Sequence, residues 1–310
     1  MNRSLGRVII AASVLFVFVS IGLAQGPASP ATQPAARGAR RPITYLPINP
    51  NLPTLWIIGD STVRNGSYDD GNNGQWGWGN PIRHYFDETK INIQNRAMGG
   101  TSSRSYQESA TLWPVVLDLM KPGDYLIAQF GHNDAGTPKG NGDEIVERPA
   151  ARIGGRGRGA ATTQPADASA PVPMQQLHTF GWYMRKYVTD ARGKGVVEAI
   201  ICSPIPRNRW TDGKIGPDGW VETDKEAAAK VGAKFIDLNA LIIAKYEPMG
   251  QEKVTELYFP EREVVHTDWA GAIVNAECVV EGLKQINSPL VKYLKPEPPK
   301  EIALPSGKAR

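Results

Sequence analysis

A chain of 310 residues, 41% hydrophobic and 21% charged, has room for one large domain or two small ones. Its net charge is +4, yet residues 1–50 hold five arginines and no acidic residue, so the remainder carries −1 and gives no argument for nucleic acid binding. The two cysteines, Cys202 and Cys278, lie far apart, and no Cys/His cluster has the spacing of metal ligands.

The chain opens with Arg3 and Arg7 ahead of an uncharged apolar run, Val8–Leu23, followed by small residues around Ala24. This is the pattern of a secretory signal, residues 1–24, with cleavage after Ala24 and a secreted or periplasmic mature protein. The run is short of the roughly 20 apolar residues of a membrane span, so no span is expected in the mature chain; an uncleaved anchor is the rival reading. No Cys beside the cleavage point offers a lipid attachment site. Residues 25–50 are rich in Pro, Ala and Arg without apolar periodicity, and read as a flexible tether. The folded domain is then expected over 51–310.

Within it, apolar runs predict strands over Thr54–Ile58, Ile91–Asn95, Tyr125–Phe130, Val196–Cys202 and Lys234–Leu238. Helical patterns alternate with them at Tyr106–Met120, Thr179–Gly193, Thr223–Gly232 and Trp269–Ile286. Continuously apolar strands alternating with helices predict a parallel sheet covered on both faces, an α/β protein built as a three-layer α/β/α sandwich around five parallel strands. Gly136–Pro173 interrupts the alternation with Gly-Arg-rich low complexity, a surface insertion that reads as a solvated spacer or a lid. Cys202 ends a predicted strand and Cys278 lies in a predicted helix, so a disulfide and two buried thiols both stand as readings.

The first strand runs into Gly59-Asp60-Ser61-Thr62. A serine at the carboxyl end of a sheet strand, opening a helix, places a nucleophile and a backbone oxyanion donor on one residue, although such junctions are also common helix caps. Ser61 needs a base and a group to orient it. His266 sits in a loop before the last helix, with Glu263 three residues earlier, where a carboxylate folding back can meet the imidazole, although on spacing alone the pair reads equally as surface decoration. Two further strand ends face the same edge. Asn95–Ser102 contains Gly99-Gly100, whose backbone N–H is unhindered, or is simply a turn before a helix. Gln129–Asp134 offers the side-chain amide of Asn133, with His132 and Asp134 organising the loop.

Gly-Asp-Ser-Thr, the Gly-Gly loop, Gly131-His-Asn-Asp134 and the late His266-Thr267, in that order, resemble the four blocks of the SGNH (GDSL-like) hydrolase superfamily over roughly residues 53–286. Asn95–Tyr106, Phe130–Asp134, Tyr258-Phe-Pro and Ala270-Gly-Ala are most similar to rhamnogalacturonan acetylesterases. The resemblance implies a serine esterase that removes acetyl groups from plant cell-wall polysaccharide without metal or cofactor. It implies Ser61 as nucleophile, His266 as general base and then acid, and the N–H groups of Ser61 and Gly100 with the Asn133 amide as the oxyanion hole. One position departs: the family places Asp where this chain has Glu263, and the longer side chain must be absorbed by the loop. Asp268 is an alternative acid for that role but, just before the last helix, reads more simply as its N-cap. Arg64, Arg104 and Trp210 are candidate substrate contacts, the arginines for uronate carboxylates or for structural salt bridges. Trp76, Trp78 and Trp220 are further candidates for stacking on sugar rings, or are core residues. Pro204–Asn208 follows the fourth strand and is placed to line the cleft. His84 and His178 carry no role in the chemistry.

The expected partner is an acetylated polysaccharide or oligosaccharide, with no nucleic acid: there is no P-loop and no basic body. Two other readings remain. One is an esterase of the same superfamily acting on acetylxylan, another glycan or a small ester. The other is a non-hydrolysing carbohydrate-binding relative, with Glu263 as the mark of lost activity.

Overall fold

Trp56-Ile57-Ile58 is no more than 1% exposed on either face, the signature of a strand enclosed by helices rather than one facing water. The computed structural model describes residues 45–65, 74–149 and 174–305. The expected signal segment, the tether up to residue 44 and residues 150–173 of the insertion lie outside the described residues.

Along the chain, β1 (Thr54–Gly59) and β2 (Asn92–Asn95) are followed by α1 (Ser103–Glu108), α2 (Trp113–Leu119) and β3 (Tyr125–Gln129). A ribbon of β4 (Val146–Pro149) and β5 (Met174–Leu177) leads into α3 (Phe180–Gly193) and β6 (Glu198–Cys202). A short pair, β7 (Trp210–Thr211) and β8 (Lys214–Ile215), precedes α4 (Val221–Lys230), β9 (Lys234–Ile236) and α5 (Leu238–Tyr246). The described chain closes with α6 (Gln251–Tyr258), α7 (Trp269–Gln285) and a final 3-10 turn.

The main sheet has five parallel strands in the order β2-β1-β3-β6-β9. Alternate residues of β1 divide between two cores. Leu55 and Ile57 pack with Ile242 of α5, Val254 of α6 and Val279 and Leu283 of α7. Trp56 and Ile58 pack with Tyr106 of α1, Phe180, Met184 and Tyr187 of α3 and Ala227 of α4. The three-layer α/β/α arrangement is thus a direct result of the strand period. Because the chain leaves β1 for one neighbour and returns to the other side for β3, a crevice opens beyond the carboxyl ends of β1 and β3, where such sheets bind ligands.

Several expectations change. The helix expected over Tyr106–Met120 is two, broken at Ser109–Leu112: the Thr111 N–H donates to the Ser109 hydroxyl, and Pro114 in the first turn of α2 cannot donate to a preceding turn. The last strand stops at Ile236 because the Asp237 carboxylate accepts from Ala240 N at 3.0 Å and caps α5. The insertion begins as structure, since Val146–Pro149 pairs antiparallel with Met174–Leu177. The tether ends before residue 50. The Gln94 amide donates to Leu46 O, Asn49 N donates to the Asn92 side chain, and Arg96 lies 3.6 Å from the centre of the Tyr45 ring, so Tyr45–Asn49 straps the edge strand. Cys202 and Cys278 are both buried free thiols; burial raises the Cys278 thiol to about 12. No helix among the described residues is long and apolar enough to cross a membrane.

Candidate active site

Ser61 stands one turn beyond β1. No helix opens over Ser61–Asn65, contrary to the expectation; Val63 N and Arg64 N both donate to Asp60 O and close a tight turn instead. The Asp60 carboxylate stiffens that turn by accepting from Thr62 N and the Thr62 hydroxyl, each at 2.8 Å. Thr62 in turn accepts from the Gln129 amide at 2.6 Å, and Gln129 accepts from the Trp78 indole at 2.7 Å. This buried chain ties the serine turn to the end of β3. Gly59 is required by contact: a Cβ there would come within 2.5 Å of Gln129 O and the Val63 side chain.

The Ser61 hydroxyl meets His266 Nε2 at 2.8 Å, across 205 residues of sequence. On the far side of the ring, Nδ1 lies 3.2 Å from Glu263 Oε2, an ion-pair distance at an angle short of a hydrogen bond. The substitution of Glu for the expected Asp is accommodated by the loop itself. Glu263 Oε1 accepts from the backbone N–H groups of Val264, Val265 and His266 at 2.9, 2.8 and 3.2 Å, folding the longer side chain back over its own turn. Oε2 is left to face the imidazole and the amide of Gln75, which donates to it at 2.7 Å. Burial pulls the Glu263 carboxyl up, but the Val265 N–H and His266 outweigh it and hold the acid below its ordinary range. Asp268 takes its expected place as N-cap of α7, accepting from Gly271 N at 2.8 Å.

The two other loops meet at the same edge. Gly100 adopts φ +84°, a left-handed backbone that favours glycine, and the neighbouring Gly99 packs within 3.5 Å of the Ser61 Cβ, measured from where its own Cβ would be. The Asn133 amide donates to Thr101 O at 2.9 Å, which leaves its second hydrogen available. Asp134 fastens this loop to α1 by accepting from the Ser103 N–H and hydroxyl. His132 is enclosed beneath; burial, then Arg207 and His266, lower its pKa to about 3, so it is neutral.

The expected substrate contacts separate. Arg64 is 2% exposed and donates to Asn95 O, bracing the end of β2 under the Tyr45 ring rather than meeting a uronate. Arg104 is partly exposed between the Gln175 amide of β5 and Glu108. The Trp210 indole donates to Asn208, and its ring packs partly on the core. Trp76 and Trp78 are buried, the first paired through its backbone with Thr267. Trp220 packs against Phe180 with the rings tilted by 35°, beside Gly131. Asn208 N donates to Val264 O, which brings the Pro204–Asn208 loop against the histidine loop. Among the described residues, no group of three or more His, Cys, Asp and Glu side chains is placed to hold a metal ion. Gln75 and Gln129 were not anticipated. Each acts through side-chain hydrogen bonds to segments distant in sequence, Gln75 to Glu263 and Gln129 to Thr62 and Trp78, contacts without periodicity or motif.

Asp60 gives a test of the turn. Burial pushes its carboxyl up to about 7, despite the Thr62 donors. The folded protein then binds a proton that the unfolded chain releases near the ordinary value of 3.8, so this group's stabilising contribution is present below about pH 4 and is lost as pH rises to about 7. Asp60→Asn keeps an acceptor for Thr62 and removes the titration. Urea unfolding at pH 5 and pH 8 is expected to show a smaller stability loss for the variant than for the parent, by on the order of 2–3 kcal/mol. An unchanged pH dependence would exclude a protonated Asp60.

A parallel α/β/α sheet with a serine, a histidine and a carboxylate in line at its carboxyl edge has the layout of a serine hydrolase. Residues 55–247 match the family described as GDSL-like Lipase/Acylhydrolase, and the chain belongs to that family. It is 28% identical over 245 residues to the probable rhamnogalacturonan acetylesterase YesY of Bacillus subtilis (strain 168), covering 77% of this chain and 96% of that protein. It is 27% identical to a rhamnogalacturonan acetylesterase of Emericella nidulans, covering 74% of this chain and 84% of that protein. The crystal structure of the YxiM protein of Bacillus subtilis superposes with a TM-score of 0.58 at 24% identity, and shares the fold; the match spans 77% of this chain and 58% of that one.

Proposed function

We propose that this protein is an exported serine esterase that removes O-acetyl groups from plant cell-wall polysaccharide, with acetylated rhamnogalacturonan as its substrate. The observation that carries the proposal is the line from Ser61 Oγ to His266 Nε2 at 2.8 Å and on from Nδ1 to Glu263 at 3.2 Å. In acylation, Ser61 Oγ attacks the acetyl carbonyl carbon while His266 Nε2 takes the hydroxyl proton. The carbonyl oxygen gains the electron pair and is met by the N–H groups of Ser61 and Gly100 and the Asn133 amide, each such donor contributing about 3 kcal/mol to the transition state. The tetrahedral intermediate collapses, the imidazolium returns its proton to the departing sugar oxygen, and Ser61 is left acetylated. Water, deprotonated by the same imidazole, then releases acetate and restores the serine. Glu263 stays ionised and steadies the imidazolium.

The substrate is supported by the similarity to proteins named rhamnogalacturonan acetylesterases. Export is supported by the pattern of Arg3, Arg7 and the apolar run up to Leu23. Acetate release by the mature protein from acetylated rhamnogalacturonan and from acetylated xylan tests the proposal. Faster release from rhamnogalacturonan is expected. Faster release from xylan would reassign the substrate, and no release from either, with no activity on small acetyl esters, would favour a binding protein.

A further inference from the structure

Gln75 belongs to no motif, yet its amide is the bridge between the serine side of the site and the acid behind the histidine. Its Nε2 donates to Glu263 Oε2 at 2.7 Å, and its Oε1 accepts from the buried Asn65 amide at 3.0 Å, four residues after Ser61. The next residue anchors it: Trp76 N donates to Thr267 O at 2.7 Å, the Thr267 hydroxyl donates to Trp76 O at 3.2 Å, and the Trp76 ring packs edge-on against Trp269. Gln75 is thus held against the histidine loop from both sides.

We propose that Gln75 is a positioning residue that aims the Glu263 carboxylate at His266. Side-chain length makes such a constraint necessary. Glutamate has one more rotatable bond than aspartate, and Glu263 Oε1 is fixed by its own turn while Oε2 is 3.2 Å from Nδ1. Rotation of the carboxylate would exchange the oxygens or carry Oε2 away from the imidazole. The short bond from Gln75 fixes that rotation, and the bond from Asn65 fixes which end of the amide faces the acid. Glu263 and Gln75 therefore work as a pair, the second supplying the constraint that a shorter acid would not need. This inference rests on reading Ser61, His266 and Glu263 as a hydrolytic triad.

Hydrolysis of 4-nitrophenyl acetate by the full mature chain tests it without reference to any polysaccharide. Gln75→Ala is expected to lower kcat about 10- to 100-fold with KM changed less than threefold, the scale of losing a charge-assisted hydrogen bond that orients a base. Gln75→Glu places a second carboxylate beside the acid–imidazole pair, which favours the imidazolium, and is expected to move the acidic limb of the pH–rate profile up by about one pH unit. In a Glu263→Ala background, Gln75→Ala is expected to cost less than threefold, because its route of action is gone. Full loss in that background, or kcat within twofold of the parent in Gln75→Ala with an unmoved limb in Gln75→Glu, would overturn the inference while leaving the triad intact. Gln75 is only half-buried, and a thermal melt of each variant separates misfolding, which would lower the active fraction without moving the limb. Activity of the parent that survives Ser61→Ala would overturn both readings together.

Discussion

Ser61→Ala is expected to lower kcat on an acetyl ester by about 10⁴-fold or more, with melting temperature little changed. The size follows from the site acting as a unit. Without Oγ, the base 2.8 Å away has no proton to take, and acyl transfer falls back on water held near the oxyanion donors. The structural cost is small because the Ser61 hydroxyl, although buried, has His266 as its side-chain partner and holds no part of the turn together. The turn is shaped by Asp60 and Thr62, whose bonds do not involve the Ser61 hydroxyl. Steady-state kinetics with active-site titration measures the loss, and residual activity within tenfold of the parent would mean that the ester is cleaved elsewhere.

Glu263→Ala carries the second large effect, expected at about 10³- to 10⁴-fold in kcat. Two functions are lost at once. The imidazolium formed in acylation loses its counter-charge at 3.2 Å, and the N–H groups of Val264, Val265 and His266 lose their acceptor, so the loop that carries the base loosens as well. Glu263→Asp separates these roles. One methylene shorter, aspartate cannot cap the three N–H groups and also reach both His266 and Gln75, so kcat is expected to fall about tenfold rather than rise. A rise would mean that glutamate is a defect in this chain. Pre-steady-state bursts distinguish slow acylation from slow deacylation in each variant.

What the sequence made legible divides along physical lines. Thr54–Ile58, Tyr125–Phe130 and Val196–Cys202 could be read as enclosed strands because an apolar run bounded by turn residues has few other uses, and strands form within each of those runs. Ser61, Gly100, Asn133 and His266 sit in loops whose short patterns can be read without knowing the contacts, and the fold brings those loops to one edge. Orientation was not legible. Arg64 looks like a surface cation in sequence, but folds inward to Asn95 O, and Trp76 is drawn under the histidine loop by its backbone pairing with Thr267. Helix α5 escaped notice because Leu238–Ala244 is apolar apart from Asn239 and shows no period; only Asp237 as a cap betrays it. Gln75 reaches Glu263 across 188 residues, and nothing local to either position announces the bond.

The decisive experiment is acid-quenched mass spectrometry of the protein mixed with 4-nitrophenyl acetate. One acetyl group is expected on the peptide that contains Ser61, accumulating in the His266→Ala variant only far more slowly and absent from Ser61→Ala. Steady turnover with no adduct on that peptide, or an acetyl group carried by another residue whose replacement abolishes turnover, would contradict Ser61 as the nucleophile.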